Sequence, residues 1–451
     1  MQTIIPSHGN TLKILGKAKS SEGGYRLMTY VLPQQVEDGV LLFHTLTREL
    51  LLLSAEEYAD LYHMPELYEK WFIVPEALDD MEYADRVRFV RRTVQKKHEH
   101  ITNYTIFTTT DCNARCFYCY ELGRSRIPMS EETAHKAAKY IAAHCGGKEV
   151  TLAWFGGEPL FNKSVIDIIC QDLQVLGVAY YSTMISNGYL FDAVTANQAA
   201  TLWKLKRVQF SMDGAGEIYN RSKAYIYRDG PSPYEVVMGN IGNLLDVQIQ
   251  VSVRINLDKH NTNEALQLVQ DLHDRYDGRK GLFVYSHTLF EHAGPKEIKR
   301  AAEERRSLMA QQQTLAALIH AYGFSQKTSI SRQLPTNMCM ADSGSTLTIL
   351  PGGELGLCDH YSENNFVGHI DRENLDEQVI RSFQETWPTI EACRTCFRYP
   401  ECIRLKKYEE QEDCFEETRQ KSRDTLLLAM QNTYEAWKNK EEEPEEADPV
   451  C

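Results

Sequence analysis

The segment Asp111-Cys112-Asn113-Ala114-Arg115-Cys116-Phe117-Tyr118-Cys119-Tyr120 spaces three cysteines as C-x3-C-x2-C. Three thiolates this close in sequence can ligate three corners of a cubane iron–sulfur cluster. A complete protein set would be four cysteines, so the fourth iron is left open for a substrate or cofactor. A zinc site would want a fourth cysteine or histidine nearby, and the fifteen residues after Cys119 hold neither. The chain has twelve cysteines, nine of them in spaced groups: 112/116/119, 339/358 and 393/396/402/414. In a reducing compartment such grouping points to metal or redox chemistry rather than disulfides. Cys145, Cys170 and Cys451 stand alone, and a lone cysteine usually behaves as a small buried hydrophobe.

More chemistry-bearing residues follow at regular intervals. Phe155-Gly156-Gly157-Glu158-Pro159 combines a tight backbone with one carboxylate, and Ser186-Asn187-Gly188, Phe210-Ser211-Met212-Asp213-Gly214 and Val253-Arg254-Ile255-Asn256 come after it in order. Each alone reads as a turn or a strand end. Together, and following the cysteine triplet, they resemble the radical S-adenosylmethionine superfamily, whose signature is C-x3-C-x-aromatic-C followed by a GGEP motif. The resemblance implies a [4Fe–4S] cluster on Cys112, Cys116 and Cys119 and an S-adenosylmethionine site. Tyr118 would pack near the adenine. Gly156, Gly157, Glu158 and Pro159 would receive the cofactor's amino group. Ser186, Asn187, Ser211, Asp213, Arg254 and Asn256 would line the remainder, with Ser186, Ser211 and Arg254 toward its ribose and carboxylate. The C-terminal cysteines, with Gly353 between Cys339 and Cys358, resemble the SPASM extension of peptide-modifying radical enzymes, which implies one or two auxiliary iron–sulfur clusters. The match is incomplete, because Lys406 stands where that pattern has a further cysteine. Cys393, Cys396, Cys402 and Cys414 can complete one cluster or, alternatively, a zinc site. Cys339 and Cys358 leave a second cluster short of thiolates unless Asp359 or His360 joins it.

The elements that must position these residues are legible in outline. Strand-like runs near residues 105–109, 150–155, 180–185, 208–212, 248–256 and 282–286 alternate with helical segments near 131–144 and 164–176. Such alternation implies parallel strands with crossover helices. Six strands are too few for a closed eight-stranded barrel, so the expected fold is α/β, a partial (β/α)6 barrel over 96–295. Its motifs would fall at the C-terminal strand ends, where parallel sheets place their sites. Residues 1–95 read as three strands (25–32, 40–45, 49–53) and three helices, the first helix opened by a capping box of Ser54 and Glu57. That order resembles winged-helix leader-recognition elements. A linking helix is expected within 296–334, a cysteine-rich SPASM domain with a C-terminal helix over 335–438, and a disordered acidic tail over 439–451.

Composition narrows the partners. The 451 residues are 43% hydrophobic and 25% charged, ordinary for a soluble globular chain. No apolar run is long enough for a membrane span, and the N-terminus lacks the pattern of a secretory signal, so a cytoplasmic protein is expected. The net charge of −14 makes nucleic acid a poor substrate. The expected substrate is a precursor peptide whose leader adds to the N-terminal module as an edge strand. A flavodoxin- or ferredoxin-like protein is the expected electron donor. A thioether cross-link is the leading product. Epimerisation, carbon–carbon cross-linking and sulfatase maturation are alternatives, and a non-catalytic electron-transfer protein is the reading from outside this class. Tyr285, His287 and Glu291 are positional candidates for an acid or base.

Overall fold

The computed structural model describes residues 1–7, 9–18, 23–94, 99–119, 121, 125–227, 229–289, 302–325, 328–332, 340–359, 366–372, 374–384, 389–402 and 416–442. The chain divides into two compact units. One comprises 97–326 and 343–382, the other 1–96, 327–342 and 383–451.

The first unit is built on six parallel strands that neighbour one another in chain order: Asn103–Thr109, Val150–Gly156, Tyr180–Ser186, Leu205–Met212, Gln250–Leu257 and Leu282–Thr288. This sequential order is that of a partial (β/α) barrel. Alternate strand positions, such as Val150, Leu152 and Trp154 or Val208, Phe210 and Met212, are fully buried, while those between them are partly accessible. Period-two burial of this kind separates a packed face from one free to line a site. The crossover helices supply apolar stripes, among them Ala134, Ala137, Ala138 and Ile141 on Glu131–His144. Cys170 sits fully buried on Lys163–Val175, as a lone cysteine should. Ser130 and Asp192 cap their helices with side-chain oxygens on the Thr133 and Thr195 N–H groups.

The sheet does not stop at six strands. Thr346–Ile349 pairs parallel with Asn103–Thr109, and the short strands Glu354–Gly356 and Gly368–His369 follow antiparallel, making nine. This division differs from the one read from sequence, which kept 335–438 together as a separate cysteine-rich domain. The physical reason is an edge. The first parallel strand would otherwise present an unpaired row of backbone groups, and Thr346–Ile349 covers it while burying Leu347 and Ile349. Within 296–334 the structure has a helix, Ala302–Ala321, in this same unit.

The second unit centres on a four-stranded antiparallel sheet in the order Gln2–Ile5, Leu50–Leu53, Gly39–His44, Val31–Val36. Each face carries a core. Val40, Leu42, Leu51 and Leu53 pack with Leu61, Leu67, Trp71 and Val87 on one side. Leu41, Phe43 and Leu52 pack with Ala429, Met430 and Tyr434 of the C-terminal helix Glu416–Glu442 on the other. Burial on both faces explains why Gly39–His44 and Leu50–Leu53 are apolar without alternation. The capping box at Ser54 forms, with Ser54 and Glu57 each bonded to the other's backbone N–H. The strand expected over 25–32 is two elements: Tyr25–Leu27 pairs with Ile73–Pro75, and only Val31–Val36 joins the main sheet. Strand Gln2–Ile5 and helix Gly9–Leu15 were not foreseen. Among the described residues no helix is long and apolar enough to cross a membrane.

Candidate functional site

The cysteine loop leaves the first parallel strand through a set of local bonds. Thr109 Oγ1 accepts the Asp111 N–H at 2.9 Å, and Asp111 Oδ1 accepts the Cys112 N–H at 2.8 Å. The Asp111 carboxylate also lies 3.6 Å from Arg115 and 3.5 Å from Arg126. The Cys119 N–H donates to the Cys116 carbonyl at 3.2 Å, which closes the C-x2-C turn. All three thiols are partly accessible and free of disulfides. The Cys112 sulfur accepts from the Ala114 N–H at 3.3 Å and faces Asn187 Nδ2 at 3.7 Å. Burial pushes the Cys112 thiol up to about 12 and raises that of Cys116 as well. Buried thiols of this kind ionise readily only when a cation compensates the charge, as cluster iron would. Among the described residues, no three His, Cys, Asp or Glu side chains converge tightly enough for a single metal ion. Cys116 and Cys119 both act on the Cys112 thiol through their charge, and three neighbouring loop thiols suit three corners of a cubane cluster.

The second strand delivers the carboxylate. Gly156 has φ of 118°, and a Cβ there would lie 2.1 Å from the Thr109 carbonyl oxygen. A Cβ on Gly157 would lie 2.3 Å from the Asp111 carbonyl oxygen. Only glycine lets this strand end press against the cysteine loop. The Gly157 and Glu158 N–H groups then donate to Thr109 and Asp111 at 3.0 Å each. Pro159 follows at the start of a short helical turn, and its carbonyl accepts from Thr108 Oγ1. Glu158 is completely buried. It accepts from Ser186 Oγ at 2.9 and 3.1 Å, the Asn187 N–H at 2.8 Å and the Leu160 N–H at 3.2 Å. Burial nonetheless raises its pKa to about 7. Ser186 therefore directs its hydroxyl to Glu158, and Asn187 joins the third strand end to the cysteine loop through a 2.6 Å bond to Asn113 Oδ1.

The fourth and fifth strands contribute a polar knot. Asp213 is completely buried and accepts from Tyr118 OH at 2.6 and 2.8 Å and from Asn256 Nδ2 at 2.9 Å. Lys223 Nζ lies 2.7 Å from Tyr118 OH and 3.3 Å from the Asp213 carboxylate. Asn261 Nδ2 holds the Asp213 and Asn256 carbonyls at 2.8 Å each. Ser211, Arg254 and Tyr285 are register partners across three neighbouring strands. Arg254 Nε is buried without a hydrogen-bond partner among the described residues, a donor left for a ligand. Tyr285 OH bonds Gln209, His287 Nδ1 faces the Thr288 carbonyl, and Glu291 lies outside the described residues. The structure thus bonds Cys112, Glu158 and Asn187 into one network and Tyr118, Asp213 and Asn256 into a second, both anchored on the cysteine loop. Sequence reading missed Lys223, Asn113 and Asn261. Nothing in their local patterns marks them, because the bonds that give them roles span up to 107 residues.

The second cysteine group lies in the other unit. Cys393, Cys396 and Cys402 occur in successive tight turns, with Cys396 N–H on the Cys393 carbonyl and Cys402 N–H on the Tyr399 carbonyl. All three pack against the core of the N-terminal module. Tyr399, 2% exposed, donates to Asp85 at 2.5 Å beneath the Arg88 guanidinium. Cys358 is buried in the unit of the parallel sheet, with its sulfur 3.3 Å from Asp359 Oδ1. Cys339 and Cys414 lie outside the described residues.

Residues 106–272 match the family model described as the Radical SAM superfamily. A probable GTP 3′,8-cyclase of Archaeoglobus fulgidus is 26% identical over 187 residues, which is 38% of this chain and 60% of that protein. One of Pyrococcus abyssi is 37% identical over 71 residues, 15% of this chain and 22% of its own length. The chain therefore matches less than two thirds of the curated relatives' length. Among solved structures, anSMEcpe with bound AdoMet and Cp18Cys peptide superposes with a TM-score of 0.55 at 15% identity, covering 75% of this chain and 99% of that one. Streptococcus suis SuiB bound to precursor peptide SuiA gives 0.50 at 11% identity, covering 84% and 94%. These likenesses establish a shared fold.

Proposed function

We propose that this chain, whose residues 106–272 form a radical SAM domain, is a maturase that modifies a ribosomally made precursor peptide. The domain's cofactors are a [4Fe–4S] cluster and S-adenosylmethionine, and the residues present fit them. The observation that carries the reading is the bonded meeting of Cys112, Glu158 and Asn187 at neighbouring strand ends. Cys112, Cys116 and Cys119 would hold the cluster. Held there, the pair supplies a 5′-deoxyadenosyl radical able to abstract hydrogen from a bound substrate. Glu158 offers a carboxylate, already fixed by three donors, to the cofactor's ammonium. Gly156 and Gly157 permit the backbone approach, and Arg254 Nε is a donor for the cofactor's carboxylate. The bonds of Tyr118 to Asp213 hold the aromatic ring of the cysteine loop in place for the adenine.

A peptide substrate is supported by two features. The fold likeness, over 75% and 84% of this chain, is to structures described with bound peptides. The second unit joins a strand-and-helix module to Cys393, Cys396 and Cys402, which with Cys414 would hold an auxiliary cluster. Its sheet offers two edges for a leader strand. Pro33 blunts Val31–Val36, having no N–H to give, whereas Gln2–Ile5 carries no proline. The leader therefore adds to Gln2–Ile5. The modification we favour is a thioether from a cysteine sulfur to a peptide carbon. A nucleotide substrate is the second reading, favoured by the printed activity of the curated relatives.

Short peptides encoded beside the gene, incubated without oxygen with protein, reductant and S-adenosylmethionine, test this by intact mass. Loss of two hydrogens and one free thiol per site supports the thioether. Unchanged mass with deuterium uptake from heavy water indicates epimerisation. Unchanged peptides with modification of GTP would replace the peptide reading.

A further inference from the structure

Lys223 is the last residue of helix Gly216–Lys223, which ends because Ala224 adopts a left-handed conformation. Its side chain is only 3% exposed. Lysine is rarely buried so deeply without a partner, because losing hydration of the ammonium is costly. Here the partners are Tyr118 OH at 2.7 Å and the Asp213 carboxylate at 3.3 Å, and the ammonium also lies 5.4 Å from the centre of the Tyr118 ring. The main chain of the same residue reaches the same loop. Its carbonyl accepts the Arg115 N–H at 2.8 Å and lies 3.9 Å from the Cys116 sulfur. Both ends of Lys223 thus touch the segment between Arg115 and Tyr118. Such a cation is expensive to keep if it serves only to tie two elements together, since an apolar pair of similar volume could do so.

Resting on the radical SAM reading above, we propose that Lys223 is a positioning residue for the cluster on Cys112, Cys116 and Cys119: it latches the cysteine loop through Tyr118 and Arg115, and its fixed positive charge at Tyr118, between Cys116 and Cys119 in that loop, raises the reduction potential of that cluster. A cluster gains negative charge on reduction, and nearby net charge is one of the levers that set its potential. Lys223 and Asp213 bring opposite charges to the same Tyr118 hydroxyl within the cysteine loop. The two partners therefore make opposite predictions, which a purely structural latch would not.

The test is a redox titration of the anaerobically reconstituted full-length protein, followed by electron paramagnetic resonance. The core cluster is identified as the signal that changes when S-adenosylmethionine is added, since only a cluster with an open iron should respond. Lys223→Met is expected to lower the midpoint potential of that signal. Lys223→Arg should restore it toward wild type, and Asp213→Asn should raise it. An unchanged potential in Lys223→Met, or a fall in both Lys223→Met and Asp213→Asn, would overturn the proposal. If Lys223→Met fails to assemble the cluster, Lys223→Arg and Asp213→Asn decide. A wild-type value in the first and a rise in the second support it, and no rise in the second overturns it. Absence of any S-adenosylmethionine-sensitive signal in the wild type would instead overturn the radical SAM reading, and this inference with it.

Discussion

At the scale of single residues, Glu158 and the two glycines before it fix where a cofactor ammonium can bind. Replacing Glu158 by Gln keeps the shape and removes the charge. A hydrogen bond to a charged group contributes about 1.5–3 kcal/mol, so S-adenosylmethionine affinity should fall roughly 10- to 150-fold, measured by equilibrium dialysis of the reconstituted protein. Gly157→Ala should act differently. A Cβ would meet the Asp111 carbonyl at 2.3 Å, so the cysteine loop must move. Displacement of about 1 Å costs on the order of 100-fold in rate, and 5′-deoxyadenosine production should fall by at least that much while circular dichroism stays native. The sequence displayed Cys112, Cys116, Cys119 and Glu158 because their chemistry depends on type and close spacing. It hid Lys223 and Asn261, whose bonds to Tyr118 and Asp213 form only after the sheet assembles.

At the scale of elements, Glu158, Asn187 and Asp213 sit just past strand ends. Strands were readable because buried positions alternate with accessible ones, as in Val150–Gly156. The N-terminal strand Gln2–Ile5 was not, since four residues carry too little periodicity to separate strand from loop. The run over 25–32 misled for another reason: continuous β-forming residues conceal a turn that sends its two halves to different sheets. The capping box at Ser54, in contrast, is local, and sequence and structure agree on it. Ser54→Ala should lower the unfolding free energy of its unit by about 1 kcal/mol in a denaturant titration. If the leader adds to the Gln2–Ile5 edge, the amides of that strand should gain protection from hydrogen exchange when leader peptide is supplied. Protection confined to Val31–Val36 would move the leader to the opposite edge.

At the scale of the whole molecule, chain order and spatial grouping part company. Residues 343–382 extend the parallel sheet, whereas 383–451 join the N-terminal module, so the cysteine-rich stretch is shared between two units. Composition cannot reveal this, because it follows from which sheet edge needs covering. The N-terminal unit also carries an acid-sensitive group. His44 is completely buried, accepts the Leu46 N–H on Nδ1, and has its pKa lowered by burial to about 3. The unfolded chain, with histidine near 6.5, binds the extra proton first, so stability is intact above about pH 6.5. It is lost by up to about 1.4 kcal/mol per unit as pH falls from there toward 3. His44→Gln should flatten that slope in urea titrations across pH 4–7. Radical chemistry on this chain is read out by 5′-deoxyadenosine itself. Reconstituted protein given dithionite and S-adenosylmethionine without oxygen should release it, and Cys116→Ala should not. Equal release from both, or none from a wild type shown to hold iron and sulfide, would contradict the account.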